Sequence, residues 1–173
     1  KQNLASIPTG IAPYRIALSP DGRTLYSANR GGRAPAKGEP NAPSAGTQVR
    51  VDSQTDAALR GSVTIIDTEK LTGVEIEAGR QPSDLTFSPD GATLFIANSD
   101  EDTVSVFDTA KREFRASISL RPAQDPGFGQ IPNALALSAD GKTLYVTCGG
   151  ANAVACVDLT NGKVSGYVPA AWY

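Results

Sequence analysis

The sequence predicts an all-β chain, a partial β-propeller of three consecutive four-stranded antiparallel blades belonging to a larger ring. Three observations predict it. The first is a gapless internal repeat: "PYRIALSPDGRTLYSAN" from Pro13, "PSDLTFSPDGATLFIAN" from Pro82 and "PNALALSADGKTLYVTC" from Pro132. A second module follows each, reading "SVTIIDTEKLTGVEIEAG" from Ser62, "TVSVFDTAKREFRASISL" from Thr103 and "AVACVDLTNGKVSGYVPA" from Ala153. The second observation is the period. A base repeat of about 41 residues accounts for every separation once the first repeat carries roughly 28 extra residues between its modules and about nine precede the third, and blades of this kind run to roughly 40–45 residues. The third is alternation of apolar side chains with period two, as at Ile16 and Leu18, Val63 and Ile65, and Val74 and Ile76, which marks half-buried strands.

Each element follows from its residues. Ser19-Pro20-Asp21-Gly22 and Ser88-Pro89-Asp90-Gly91 are tight-turn sequences: Pro presets φ, Asp bonds its local backbone and Gly accepts positive φ. Asp67, Asp108 and Asp158 recur where each third strand ends, and a recurrence in all three repeats points to turn capping rather than to a site. One blade cannot cover both its own faces, so neighbours must, and rings hold typically four to eight blades. The expected layout assigns residues 1–10 to the last strand of a preceding blade, with "LASIP" (Leu4 to Pro8) at its end. Residues 11–80 then form a blade carrying the insertion 30–60, residues 81–122 a second blade, and residues 123–173 a third blade preceded by a short insertion. The chain starts at Lys1 without an initiator Met or signal segment, and a processed or partial chain is expected.

Composition narrows the chemistry. With no His, the chain cannot build a Ser/His/Asp triad, a haem proximal ligand or a His-based zinc site from its own residues. No catalytic residue, metal site or cofactor is predicted. Sixteen basic against 18 acidic residues leave a formal charge of −2, so attraction to anionic partners has to be local. No apolar run approaches the roughly 18 residues of a membrane helix, and no membrane insertion is expected. Cys156 aligns with Ile65 and Val106 and is expected to be a buried core thiol. Cys148 aligns with Asn29 and Asn98 at a strand end, so the two thiols should point to opposite sheet faces without forming a disulfide.

These residues resemble the YVTN family of β-propellers, the YncE-like or surface-layer-protein-like repeats. The resemblance rests on "YVTC" at Tyr145 to Cys148, "YSAN" at Tyr26, "FIAN" at Phe95, "SPDGRTLY", "DTVSVFDT" and "NAVACVDLTNGKV". A narrower likeness lies in "GGRAP…SAGTQVRVDSQT", "RPAQDPGFGQIPNALALS" and the terminal "AAWY", which are similar to bacterial proteins in which such a propeller precedes an alkaline-phosphatase-like phosphoesterase domain. It implies an exported, periplasmic or cell-surface setting and a catalytic domain outside these residues. Some relatives also suggest sequence-tolerant binding of single-stranded nucleic acid, against which the charge of −2 and only five Phe and five Tyr argue.

Function is expected on one face. In an up-and-down blade, the connection between strands two and three lies on the same face as the crossing to the next blade. Arg30 to Arg60 is such a connection, while Arg121 to Ile131 and Ala171 to Tyr173 are crossings. Long loops are disproportionately functional. The binding candidates are Arg30, Arg33, Lys37 and Arg50, basic residues opposed between positions 30 and 50 by Glu39 alone, and the aromatic pair Trp172 and Tyr173. A solvated loop is the plain reading of the basic stretch, docking to another domain or chain the second, and a small phosphate or carboxylate ligand the third. Burial between blades is preferred for the aromatic pair over ligand stacking. Gly31-Gly32 lacks the helix and the Lys-Ser/Thr of a phosphate loop. Asp100, Glu101 and Asp102 read as a solvated turn rather than a calcium site. A short extra hairpin is expected over "GTQVRVDSQTD", where Val49 and Val51 alternate. The expected partners are the remaining blades or further copies of the chain, and a phosphoesterase domain. The leading functional expectation is a non-catalytic scaffold, and the alternative is a propeller that positions substrate for that phosphoesterase.

Overall fold

The computed structural model describes residues 6–44, 46–122 and 129–170. The described residues hold 14 strands and no helix. The first repeat contributes β1 (Ile11–Leu18), β2 (Thr24–Gly32), β5 (Ser62–Asp67) and β6 (Thr72–Glu77), hydrogen-bonded in the order β1-β2-β5-β6. Between β2 and β5 the insertion forms a hairpin of its own, β3 (Asn41–Ser44) and β4 (Thr47–Arg50). The second repeat gives β7 (Pro82–Phe87), β8 (Thr93–Asn98), β9 (Thr103–Asp108) and β10 (Glu113–Ser119). The third gives β11 (Pro132–Leu137), β12 (Thr143–Cys148), β13 (Ala153–Asp158) and β14 (Lys163–Pro169). Each of these two sets is one four-stranded sheet in chain order, so each repeat is one blade of a partial β-propeller. Residues 6–10 form no strand, and Leu4 and Ala5 lie outside the described residues.

The turns explain why three different sequences fold alike. In the first, Ser19 Oγ donates to Asp21 Oδ1 at 2.6 Å, the Arg23 N–H donates to the same oxygen at 3.1 Å, and the Thr24 N–H donates to Ser19 Oγ at 2.9 Å. The same three bonds recur around Ser88 and Asp90 and around Ser138 and Asp140. At the other hairpin, Asp67 Oδ1 accepts the Glu69 and Lys70 N–H groups, Asp108 Oδ1 those of Ala110 and Lys111, and Asp158 Oδ1 that of Thr160. These carboxylates are the turn caps expected of them.

The chain divides into two compact units, residues 1–82 and 83–173. In the second unit the core lies between two sheets: Phe95, Val104, Ile118 and Leu120 pack with Leu144, Val146, Cys148, Ala155 and Val157. Polar side chains tie the same two blades. Ser83 Oγ and Ser99 Oγ both donate to the Pro132 carbonyl, at 2.8 and 2.7 Å, and Asp84 Oδ2 accepts the Leu135 N–H at 2.7 Å.

Two expectations need correction here. Asp102 is not part of a solvated tip. Its side chain is 4% exposed, it accepts Arg121 Nε at 2.7 Å and the Ile131 N–H at 3.0 Å, and it pins both described ends of the segment leading into the third blade. Cys156 is not the buried thiol. Tyr145 pairs with Cys156 on one face of the third blade, and that face is uncovered, Tyr145 being 41% exposed and Cys156 part-exposed. Cys148 lies with Leu144 and Val146 on the opposite face, inside the core, and burial pushes its thiol pKa up. Both thiols are free.

Each blade opens on a backbone feature that no propensity announces. Ala12, Gln81 and Ile131, the residues before the opening prolines, have φ of 54°, 49° and 50°. A non-glycine residue in this left-handed region carries about 1–2 kcal/mol of strain, held here by the strand pairing that follows.

Candidate functional site

The most structured end in the first unit is the one that carries the insertion. Val49 and Val51 are buried, so the hairpin packs onto the blade. Val49 lies so close to Gly31 that a Cβ there would sit 3.0 Å from the valine Cγ1 and 2.7 Å from Ile11 Cγ2. Gly32, at φ +68°, faces the Arg60 carbonyl, which a Cβ would meet at 2.4 Å. Two consecutive glycines therefore let the chain leave β2 and bring the hairpin back over it. Val49 does lie on a strand as expected, but its partner strand is Asn41–Ser44, upstream of it; downstream the pairing is one bridge, Val51 with Ala58.

The hairpin delivers Arg50 to the end of the blade. The Arg50 side chain is 10% exposed; its Nη2 donates to Glu77 Oε2 at 3.3 Å and to the Arg60 carbonyl at 3.5 Å, while its buried Nε has no partner. Arg60 Nε also reaches Glu77, at 3.5 Å. Beneath them a chain of hydrogen bonds crosses the sheet. Ser27 Oγ donates to Asn29 Oδ1, Asn29 Nδ2 donates to Ser62 Oγ and Thr64 Oγ1, Ser62 Oγ donates to Glu75 Oε1, and the Gly10 N–H donates to Thr64 Oγ1. Arg33, Arg50, Gly61, Ser62, Glu75 and Glu77 line a cavity of about 120 Å³.

The other insertion candidates stand apart from one another. Arg33 gives both arms of its guanidinium to Glu39, at 2.8 and 2.5 Å. That pairing, with the Ala36 N–H, lowers the Glu39 carboxyl to a pKa of about 2, so the pair is ionised at neutral pH. Arg30 stacks its guanidinium 3.5 Å from the centre of the Tyr14 ring, a cation–π contact. Lys37 is exposed in the turn before Glu39. Trp172 and Tyr173 lie outside the described residues, as do residues 123–128 of the second insertion. The local excess of positive charge read from residues 30–50 is thus largely answered, by Glu39 within the loop and by Glu77 from β6.

Four partners at this site were not among the predicted residues: Arg60, Ser62, Glu75 and Glu77. A signal for the two glutamates exists in the repeat alignment. Where the first repeat has Glu75 and Glu77, the second has Ala116 and Ile118 and the third Gly166 and Val168, so the carboxylate pair belongs only to the repeat that carries the arginine-bearing insertion. Asn98 is the second blade's equivalent of Asn29 and donates likewise, to Thr103 Oγ1 and Ser105 Oγ. Its Oδ1 is buried without a partner, because Ile96 stands where the first blade has Ser27.

A family model described as lactonase, seven-bladed β-propeller, matches residues 4–115 and, one repeat further on, residues 45–167. The chain belongs to the seven-bladed β-propeller lactonase family. A curated relative of this lactonase-family chain, Antigen Lp49 of Leptospira interrogans, is 39% identical over 94 residues, which are 54% of this chain and 18% of the relative. Among solved structures, the hydrazine synthase of Kuenenia stuttgartiensis matches with 25% identity and a TM-score of 0.55 over 97% of this chain and 52% of that one. A periplasmic gluconolactonase of Pseudomonas aeruginosa matches with 20% identity and a TM-score of 0.54 over 92% and 58%. The gluconolactonase likeness, at that identity, shows the fold alone. The lactonase-family chain spans under a fifth of its curated relative and little more than half of these solved chains.

Proposed function

We propose that this chain contributes a binding and docking face, not a catalytic centre, to a propeller of the YVTN, YncE-like type, through the ends carrying residues 30–60, 121–131 and 171–173. The observation that carries the reading is Arg50. A loop that only kept the molecule soluble has no reason to bury an arginine against the carboxylate of a blade strand, since desolvating a cation is costly unless it is paired. The partners we propose are the remaining blades of the ring or further copies of the chain, together with a phosphoesterase domain. The sheet faces support the first. Tyr14, Ile16 and Leu18 alternate along β1 and are 57%, 64% and 54% exposed, whereas Pro82 to Leu85 of β7 are all buried. An exported location, periplasmic or at the cell surface, is proposed from the repeat resemblance.

Hydrogen exchange tests the docking reading. Residues 30–60 are compared in the three repeats alone and in the protein that includes their further blades and domains. Added protection across Arg33 to Arg50 is the expected result, and equal exchange in the two sinks the reading. A second reading, favoured by the family match, makes the whole protein a hydrolase for which this propeller positions substrate. Release of acid from a lactone marks the lactonase form of that reading. Release of phosphate that a chelator abolishes marks the phosphoesterase form.

A further inference from the structure

The three blades end their sheets differently. β6, β10 and β14 each stand at the end of a sheet, with a strand on one side only among the described residues. Such edges are templates for a further strand, and proteins blunt them with bulges, with Lys or Arg, and with Pro. β10 carries a bulge at Arg115, and β14 carries one at Ser165, opens on Lys163 and closes on Pro169. β6 has none of these. Thr72 to Glu77 pair residue for residue with Asp67 to Ser62 of β5, without a shift of register, and "TGVEIE" holds no Lys, Arg or Pro. Val74, in the middle of this regular edge, is 57% exposed.

The phase of the ladder says which groups are open. At one end the Leu71 N–H donates to the Asp67 carbonyl, and at the other the Ala78 N–H donates to the Gly61 carbonyl. Antiparallel bonds alternate along a pair of strands. Thr72, Val74 and Ile76 therefore turn their backbone groups to β5, and Gly73, Glu75 and Glu77 turn theirs outward.

Charge then selects the occupant and its register. The first half of the strand, Thr72-Gly73-Val74, is neutral, and both carboxylates, Glu75 and Glu77, lie in the second half. A copy of the same strand running the opposite way sets the neutral half of each on the acidic half of the other. With outward residues facing one another, Gly73 pairs with Glu75 of the second copy, Thr72 with Ile76, and Val74 with Val74 on the two-fold axis. Centring the pair on Glu75 instead stacks carboxylate on carboxylate, which is destabilising. Centring it on Gly73 leaves only Thr72 to Val74 overlapping.

We propose that a second copy of this chain pairs with β6 edge to edge, as a two-fold dimer centred on Val74. The contact joins outer strands and leaves the open sheet faces alone, so it does not rest on the docking reading above. A contact about 17 Å long, at roughly 3.3 Å per residue, is short of a standard interface, and the association is weak and concentration-dependent.

Sedimentation velocity on the full chain over a concentration series is expected to pass from one copy to two. Val74→Lys, at an exposed position, sets two ammonium groups against each other on the axis and is expected to weaken the dimer at least about tenfold. Val74→Cys on a Cys156→Ser background is expected to give a covalent dimer on mild oxidation, because opposed residues without backbone bonds between them approach most closely. Thr72→Cys on the same background faces Ile76 and is expected to stay single. A chain that remains single at every concentration overturns the proposal. Amides of Gly73 and Glu75 that resist hydrogen exchange in such a single chain show that another segment of it covers the edge. Undiminished association in Val74→Lys overturns the location and points to the open sheet faces, and equal crosslinking through Thr72→Cys overturns the register.

Discussion

Single carboxylates do most of the local work in this chain, and they divide by burial. Asp21, Asp90 and Asp140 are held below the usual carboxylate value of 3.8 first by a serine hydroxyl and then by a backbone N–H. A depressed folded pKa contributes stability that is present above the unfolded value and is lost as pH falls through the folded one. The melting temperature should therefore hold between about pH 7 and pH 5 and drop below about pH 4. Asp21→Asn, Asp90→Asn and Asp140→Asn together should flatten that acid limb, as thermal denaturation followed by circular dichroism will read. Asp102 belongs to the other class. Asp102→Ala strands the Ile131 N–H and removes the anchor of Arg121, so a loss of about 2 kcal/mol is expected in urea unfolding. Lys37→Ala, at an exposed turn, should stay within about 0.5 kcal/mol. The turn aspartates were legible because their sequence recurs. Asp102 was not, because an acidic run looks the same whether water or Arg121 answers it.

At the scale of elements, the repeat alignment placed all twelve blade strands, since the period-two apolar pattern of the sequence and turn chemistry are both local. The hairpin of the insertion was legible only in part. Alternation of Val49 and Val51 marked a strand but not its partner: the ladder of β4 is upstream, with Asn41–Ser44, and the residues after it add a single bridge, Val51 with Ala58. Register is a choice between two neighbours of similar composition, and the winner is the one that brings Val49 against Gly31 and Arg50 against Glu77. The left-handed residues before the three prolines escaped the sequence for a different reason. Ala12, Gln81 and Ile131 have no shared propensity for positive φ, and tertiary pairing imposes it on them.

At the scale of the whole molecule the open sheet faces make the prediction. Cys148 is 1% exposed and Cys156 is not buried. In the three repeats alone, Cys156 should react with a thiol reagent in the native state and Cys148 only on unfolding. In a protein that carries the neighbouring blade of the ring, Cys156 should be protected as well, and counting reactive thiols by mass spectrometry separates the two cases. The sequence by itself determined the repeat, its four strands, the turns and the end at which the long insertion leaves its blade. Each of these depends on residues close together in the chain. Only the tertiary structure decided which polar groups are spent and which are open. Arg33 is taken by Glu39, Arg50 is buried against a carboxylate from another strand, Asp102 serves as a latch, and the apolar face shared by Tyr145 and Cys156 is uncovered. Burial and pairing are properties of neighbours brought together in space, and a one-dimensional pattern carries no record of which of them arrive.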